Sequence, residues 1–390
     1  MSLESKQYLM RITDRPNPVM ARGAGSYLWD TDGRRYLDFV QGWAVNALGH
    51  SAREVATALA KQAATLCTAS PALHNASELA LAARLTELSG MAQAHFCSSG
   101  AEANEAALKL VRKWGARERD GAYEVVTTWG SFHGRTLAMM SASGKPGWDR
   151  MFLPQLPGFV KVPYGDPDAV RAAIGPRTVA VMVEPIQGEA GVVLPPPGYL
   201  RALRSLCDAH RLLLVLDEVQ TGIGRTGTLF ACQSEGVFPD VMTLGKGLGG
   251  GVPIAALLAA RRACCFEPGD QGGTYNGNAL VTAVASAVLE VVTTPGFLEH
   301  VQASGQYLGH RLASLARCHG GAVRGRGLLW AMLLSRSSAE AVARRCLEQG
   351  LIVNVPRPHI LRFMPSLRVT AEEIDEMLAV LSDALVRAAA

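Results

Sequence analysis

The sequence is short of most features that mark a chain for a charged partner, an oxidising compartment or a bilayer. Only 18% of its 390 residues are charged, and the net charge is +4, with the basic residues scattered. Without a basic patch or stripe, nucleic acid is not expected as a partner. The richest basic stretch, Lys109 to Arg119, alternates with apolar residues and reads as one solvated helix face. Eight cysteines are present, but none falls in paired metal-ligand spacing, and the adjacent Cys264 and Cys265 cannot form an ordinary bridge. A disulfide framework does not suit so long a chain, so reduced thiols are expected, and no metal site. The stretch Met1–Met20 carries Glu4, Lys6, Arg11, Asp14 and Arg15 with two prolines, which is neither a secretory apolar region nor a membrane span. The expectation is a cytoplasmic chain with no membrane partner. Internal repeats and low-complexity linkers are also absent.

Hydrophobic residues, by contrast, make up 48% of the chain, enough for a sizeable core and for two or three domains, or a large domain with a smaller one. Around Asp32-Gly33 the segment Ser26 to Phe39 alternates loosely, which predicts a two-residue hairpin and a small antiparallel sheet. Apolar spacing of three and four predicts helices over Glu54–Leu66 and Ser77–Leu88. Short apolar runs follow, around Val125 and Val126, over Val179–Val183, over Leu212–Leu216 and over Val241–Leu244. They are apolar on both faces, as strands buried in a parallel sheet should be. A helix over Tyr199–His210 between two of them implies a right-handed crossover. Past about residue 290 the pattern becomes helix, strands and a last helix, with Thr370 and Glu373 as its capping box and Ile374, Leu378, Leu381 and Leu385 on one face.

In an open α/β sheet, ligands bind beyond the carboxyl ends of the strands. Here those exits carry Ser131-Phe132-His133-Gly134-Arg135-Thr136, Glu184-Pro185-Ile186-Gln187-Gly188-Glu189, Asp217-Glu218-Val219-Gln220 and Gly245-Lys246-Gly247. Core packing alone does not place ionisable residues at every exit.

Lys246 sits among glycines that let backbone approach a bulky ligand. A lysine amine in a partly desolvated pocket can form a Schiff base with an aldehyde. Alone it reads by default as a surface lysine in a flexible glycine loop; a phosphate loop fails because Gly247, not Ser or Thr, follows it. Asp217, at the end of a buried strand, is suited to hold a protonated ring nitrogen, although a helix cap or a magnesium ligand shared with Glu218 is the rival reading. The run Cys97-Ser98-Ser99-Gly100-Ala101-Glu102-Ala103-Asn104 leads into a helix whose first amides could cradle a phosphate, or simply be capped.

Taken together, Ser99 to Ala106, Phe132 to Thr136, Glu184 to Glu189, Asp217 to Gly222 and the Lys246 loop resemble the class III pyridoxal-phosphate aminotransferases, in order and spacing, from about Asn17 to the last helix. The resemblance implies an α/β, fold-type I transferase: a large domain around a mostly parallel sheet (49–290) and a smaller α+β domain built from 1–48 and 291–390. It implies pyridoxal 5'-phosphate held covalently by Lys246, with Asp217 at the ring nitrogen, Gln220 at the ring's phenolic oxygen, Phe132 and Val219 on its two faces, and Gly100 and Ala101 amides on the phosphate. Thr274 would reach the phosphate of a partner subunit, making a homodimer with shared active sites. Arg135 would grip the α-carboxylate of an ω-amino donor and Arg362 that of 2-oxoglutarate, with Glu189 masking Arg362 while the donor is bound. His133 would orient its neighbours.

Within the class the resemblance is greatest to the acetylornithine-transferring members of arginine biosynthesis, with ornithine, succinyldiaminopimelate and 4-aminobutyrate relatives as alternatives. Ala101 stands where threonine is common and Ala279 where proline is frequent. The stretches Gln41–Asn46 and Ser70–Asn75 are expected to line the substrate entrance, and they differ from many relatives. Two other readings stand beside it: an aminomutase or decarboxylase, against which Arg362 with Glu189 speaks, and a non-catalytic cofactor binder, against which Lys246 with Asp217 speaks.

Overall fold

Local signals build the first sheet. Strands β1 (Met20–Ala24), β2 (Tyr27–Asp30) and β3 (Arg35–Asp38) run antiparallel. The turn joining β2 to β3 is wider than the two-residue turn expected: Gly33 N donates to Asp30 O and Asp30 N to Arg34 O, both at 3.1 Å, and Gly33 has φ 82. The Asp30 carboxylate collects the amides of Asp32 (3.0 Å) and Arg34 (2.9 Å), which favours a turn that closes on a left-handed glycine. The structure, a computed structural model, describes residues 7–335 and 337–389. Residues 1–6, the start of the polar N-terminal stretch, Arg336 and Ala390 lie outside the described residues.

A tight turn, α1 (Gln41–Ala44), is followed by α2 (Arg53–Ala63) and α3 (Ala76–Ser89). Asn75 caps α3 by accepting from Glu78 N, and Gly90 ends it in the left-handed region at φ 71.

The middle of the chain alternates: β4 (Gln93–Cys97), α4 (Gly100–Glu118), β5 (Glu124–Thr128), α5 (Leu137–Ala142), β6 (Phe159–Val162), α6 (Pro167–Ala173), β7 (Thr178–Val183), α7 (Tyr199–Ala209), β8 (Leu213–Asp217), β9 (Val241–Leu244) and β10 (Ala255–Ala259). These strands form one sheet in the order β4-β10-β9-β8-β7-β5-β6. Every neighbouring pair is parallel except the two made by β10. That reversal follows from the short Gly245–Ile254 link, which has no room for the helical crossover that a parallel neighbour requires. All of β7 is buried, as its unbroken apolar run implied.

The buried helix α8 (Ala279–Val292) packs on α2 and α3. Then come α9 (Phe297–Cys318), β11 (Ala322–Arg326), β12 (Leu329–Leu333), α10 (Ala339–Glu348), β13 (Leu351–Ile352), β14 (Asn354–Arg357), β15 (Ile360–Phe363) and α11 (Ala371–Ala389). The expected helix, strands and last helix are there, but α10 interrupts the strands; Ser338 caps it by accepting from Ala341 N. A third sheet has the order β11-β12-β15-β14, and β13 joins β3 in parallel, closing the N-terminal sheet with C-terminal chain. The capping box of α11 is formed as expected, with Thr370 N on Glu373 Oε2 (3.1 Å) and Glu373 N on Thr370 Oγ1 (3.3 Å).

The basic face of α4 is not simply solvated. Lys113 and Arg117 pair with Glu267, Lys113 also with Asp270, and Arg119 bonds the carbonyls of His210 and Arg211. Charges that the sequence leaves unmatched are matched by a loop far along the chain. Among the described residues, no single helix is long and apolar enough to cross a membrane.

Candidate active site

Strands β9, β8, β7 and β5 are spatial neighbours running in one direction, so their carboxyl ends share one edge of the sheet. A cavity of about 260 Å³ opens there, lined among others by Gly100, Phe132, Asp217, Val219, Gln220 and Lys246. The expected residues line it, with two exceptions, Thr274 and Arg362, the latter bonded to the lining residues Glu189 and Gln220. Thr274 is exposed and does not line the cavity of its own chain. The Gln41–Asn46 and Ser70–Asn75 stretches do not line it either; Ala44 packs with Ile186 and Met364, and Trp43 is 52% exposed.

At the floor, Asp217 closes β8 and is 4% exposed. Its Oδ2 shares hydrogen bonds of 2.8 Å with His133 Nδ1 and 2.8 Å with Asn104 Nδ2, and its Oδ1 accepts from Val219 N at 3.1 Å. Asn104 also donates to His133 O (2.7 Å) and accepts from Thr243 Oγ1 (2.7 Å). The aspartate is thus locked by the helix before it, the strand beside it and the loop across from it. Sequence patterns give Asn104 and Thr243 no role; the one signal is a lone amide on the buried Ala103–Ala107 face of α4.

Lys246 adopts φ 44 between Gly245 and Gly247, a conformation that costs a non-glycine residue on the order of 1 kcal/mol and that functional sites tend to retain. Burial pushes its amine below the ordinary lysine value, Glu189 opposes this, and Arg362 adds to the fall. The amine is therefore biased toward its neutral, nucleophilic form.

Helix α4 begins beside it. Ser99 caps the helix, and Glu102 Oε2 takes the amides of Ser98 (2.8 Å) and Ser99 (2.7 Å). The first-turn amides of Gly100 and Ala101 have no intrahelical acceptor, and both residues line the cavity, an arrangement that suits an anion. A Cβ at position 100 would meet Val219 Cγ1 at 2.7 Å, so glycine is required for this approach. Phe132 packs on Trp148 with ring centroids 5.6 Å apart.

Glu184, left without a role by the sequence, is 6% exposed and takes the amides of Phe132 (2.9 Å) and Gly188 (3.2 Å). Burial lifts its carboxyl to about 7; His133 pulls it down and Asp217 pushes it further up. Glu218 faces elsewhere: its oxygens take Cys232 N (2.8 Å), Ala231 N (2.7 Å) and Thr221 Oγ1 (3.0 Å). The magnesium reading of Asp217 and Glu218 loses its second ligand.

The substrate side holds two arginines. Arg362 is 1% exposed and donates to Glu189 Oε1 at 2.7 Å. Burial raises the Glu189 carboxyl, but the Arg362 guanidinium outweighs this and holds it below its ordinary value. Arg135 is exposed and contacts the Trp148 ring, 5.8 Å from its centroid.

The sequence model of aminotransferase class-III matches residues 11–385. The chain belongs to the class III aminotransferases. It is a pyridoxal-phosphate-dependent transaminase. The enzyme is 54% identical over 374 residues to acetylornithine aminotransferase 2 of Bordetella bronchiseptica, covering 95% of this chain and 94% of that one. It is 52% identical over 383 residues to acetylornithine aminotransferase of Ralstonia nicotianae, covering 96% of each. Among solved structures, N-acetylornithine aminotransferase from Stenotrophomonas maltophilia superposes with a TM-score of 0.85 at 36% identity, over 99% of both chains. Ornithine aminotransferase from Toxoplasma gondii gives 0.93 at 32% identity, over 98% of this chain and 93% of that one.

The enzyme's cavity fits its cofactor. Free amides at Gly100 and Ala101 suit the phosphate, and a buried carboxylate at Asp217 suits a ring cation. Gln220 Nε2, buried without a partner among the described residues, is a donor in search of an acceptor oxygen.

Proposed function

We propose that the enzyme transfers the terminal amino group of N-acetylornithine to 2-oxoglutarate, giving the corresponding semialdehyde and glutamate, as a step toward arginine. The observation that carries this reading is the Arg362–Glu189 pair, 2.7 Å across, whose carboxylate lines the same cavity as Lys246. A transaminase that must admit both an ω-amino donor and an α-keto acid needs one carboxylate clamp that can be hidden. The names of the relatives support acetylornithine as the donor.

Pyridoxal phosphate, when bound, supplies an electron sink for the carbon that loses its proton. Lys246 would hold it covalently, and its uncharged Nζ would take and return the proton at the donor's terminal carbon. Asp217 would keep a positive ring nitrogen, while Gln220 Nε2 would donate to the phenolic oxygen. Phe132 and Val219 would hold the ring by its faces, and Gly100 and Ala101 would bind the phosphate. Arg135 would take the donor's α-carboxylate and Arg362 that of 2-oxoglutarate, by two-pronged hydrogen bonding. Thr274 would serve the phosphate of a partner subunit in a cytoplasmic homodimer, in keeping with its distance from its own cavity.

A donor panel with 2-oxoglutarate tests the assignment: N-acetylornithine, ornithine, N-succinyl-diaminopimelate and 4-aminobutyrate. The highest kcat/KM is expected for N-acetylornithine; preference for 4-aminobutyrate would overturn the donor but not the chemistry.

A further inference from the structure

Arg362 has three hydrogen-bonding partners, and only one is charged. Its Nη2 donates to Glu189 Oε1 at 2.7 Å, its Nη1 to Gln220 Oε1 at 3.2 Å, and its Nε to Asn354 Oδ1 at 2.9 Å. The Asn354 contact is set by the fold: β14 and β15 pair antiparallel with Asn354 directly across from Arg362, and the ladder becomes irregular immediately afterwards. The carboxylate lies on the wet side, since the Glu189 side chain is 25% exposed and that of Arg362 only 1%. Of the three partners, the charged one has the easiest route out.

We propose that Asn354 is a positioning residue for the oxo-acid half of the reaction, a neutral anchor that keeps the Arg362 guanidinium aimed and uncancelled once Glu189 withdraws. The proposal rests on the reading of Arg362 and Glu189 given above. A guanidinium freed from the Glu189 counter-charge would otherwise turn on its long side chain and lose the planar edge that a carboxylate must meet. Gln220 and Asn354 grip two of its nitrogens without neutralising it, so the charge stays available. Neutrality at position 354 is then the essential property. An aspartate of the same shape would give Arg362 a permanent counter-ion and make Glu189 redundant.

The test uses the holoenzyme and follows the two half-reactions separately by the visible cofactor band. Asn354→Asp should raise the KM for 2-oxoglutarate by about tenfold or more, the scale of one lost charge-assisted contact, while the donor half-reaction changes less than about twofold. Asn354→Ala should raise the same KM less, because the anchor is lost without a competing charge. Equal losses in both half-reactions, or an unchanged KM for 2-oxoglutarate, overturn the proposal. Arg362→Lys is run in parallel. If it raises that KM and Asn354→Asp does not, the role of Asn354 alone fails; if it leaves that KM unchanged, the reading of Arg362 beneath it fails as well.

Discussion

The floor and the mouth of the cavity are built on opposite principles. At the floor, Asp217, His133, Asn104 and Thr243 are all buried and linked by hydrogen bonds across α4, β8, β9 and the loop after β5. At the mouth, Arg135 is exposed and lies over the Trp148 ring, and Glu189 is partly exposed and accepts from Arg362. A buried network has one satisfied arrangement and resists rearrangement, because every displaced polar group loses a partner. An exposed arginine and a solvent-side carboxylate can move at little cost. The difference teaches that the chemical step is fixed in advance while the choice of substrate is left movable.

The largest effect should follow from altering the floor. Asp217→Asn keeps the shape and the Asn104 and His133 neighbours but removes the charge, and kcat should fall about 10²- to 10³-fold for both half-reactions, the scale of losing one preorganised electrostatic group. Single-turnover rates on the reconstituted enzyme check this; a loss confined to one half-reaction would break the contrast. At the mouth, the effect should be smaller and one-sided. Glu189→Ala leaves Arg362 unmasked and should raise kcat/KM with α-amino donors such as glutamate by about tenfold; a decrease would rule out masking. The smallest effect concerns Glu184, which joins the two regions through Phe132 and Gly188. Its carboxyl is raised in the folded state, from 4.5 to about 7, so the fold favours its protonated form. Its contribution to stability is full below the lower value and is lost as pH rises through the upper one. Glu184→Gln should therefore flatten the fall in Tm between about pH 4.5 and about pH 7, while lowering Tm at the acid end by losing one backbone contact. An unchanged slope would remove Glu184 from the titration.

Much of the site was legible because its residues follow strands whose apolar runs are hard to mistake. Asp217, Glu184 and Lys246 each follow or end such a run, and the sheet edge gathers them. The Asn104 and Glu184 roles were not legible, since a hydrogen bond between α4 and β8, or between two loops, leaves no local pattern. The same limit hid the pairing of α4's basic face with Glu267 and Asp270.

What the sequence determined by itself is what depends on neighbours along the chain: the parallel strand runs, the capping of α11, the glycines that open the Lys246 loop and the first turn of α4. Only the tertiary structure decided what depends on neighbours in space. It brought β13 beside β3 and set Asn354 across from Arg362. The physical reason is range. Propensity, capping and turn geometry act over a few residues, whereas the partner of a buried charge is chosen by whichever element the packed core brings within about 3 Å.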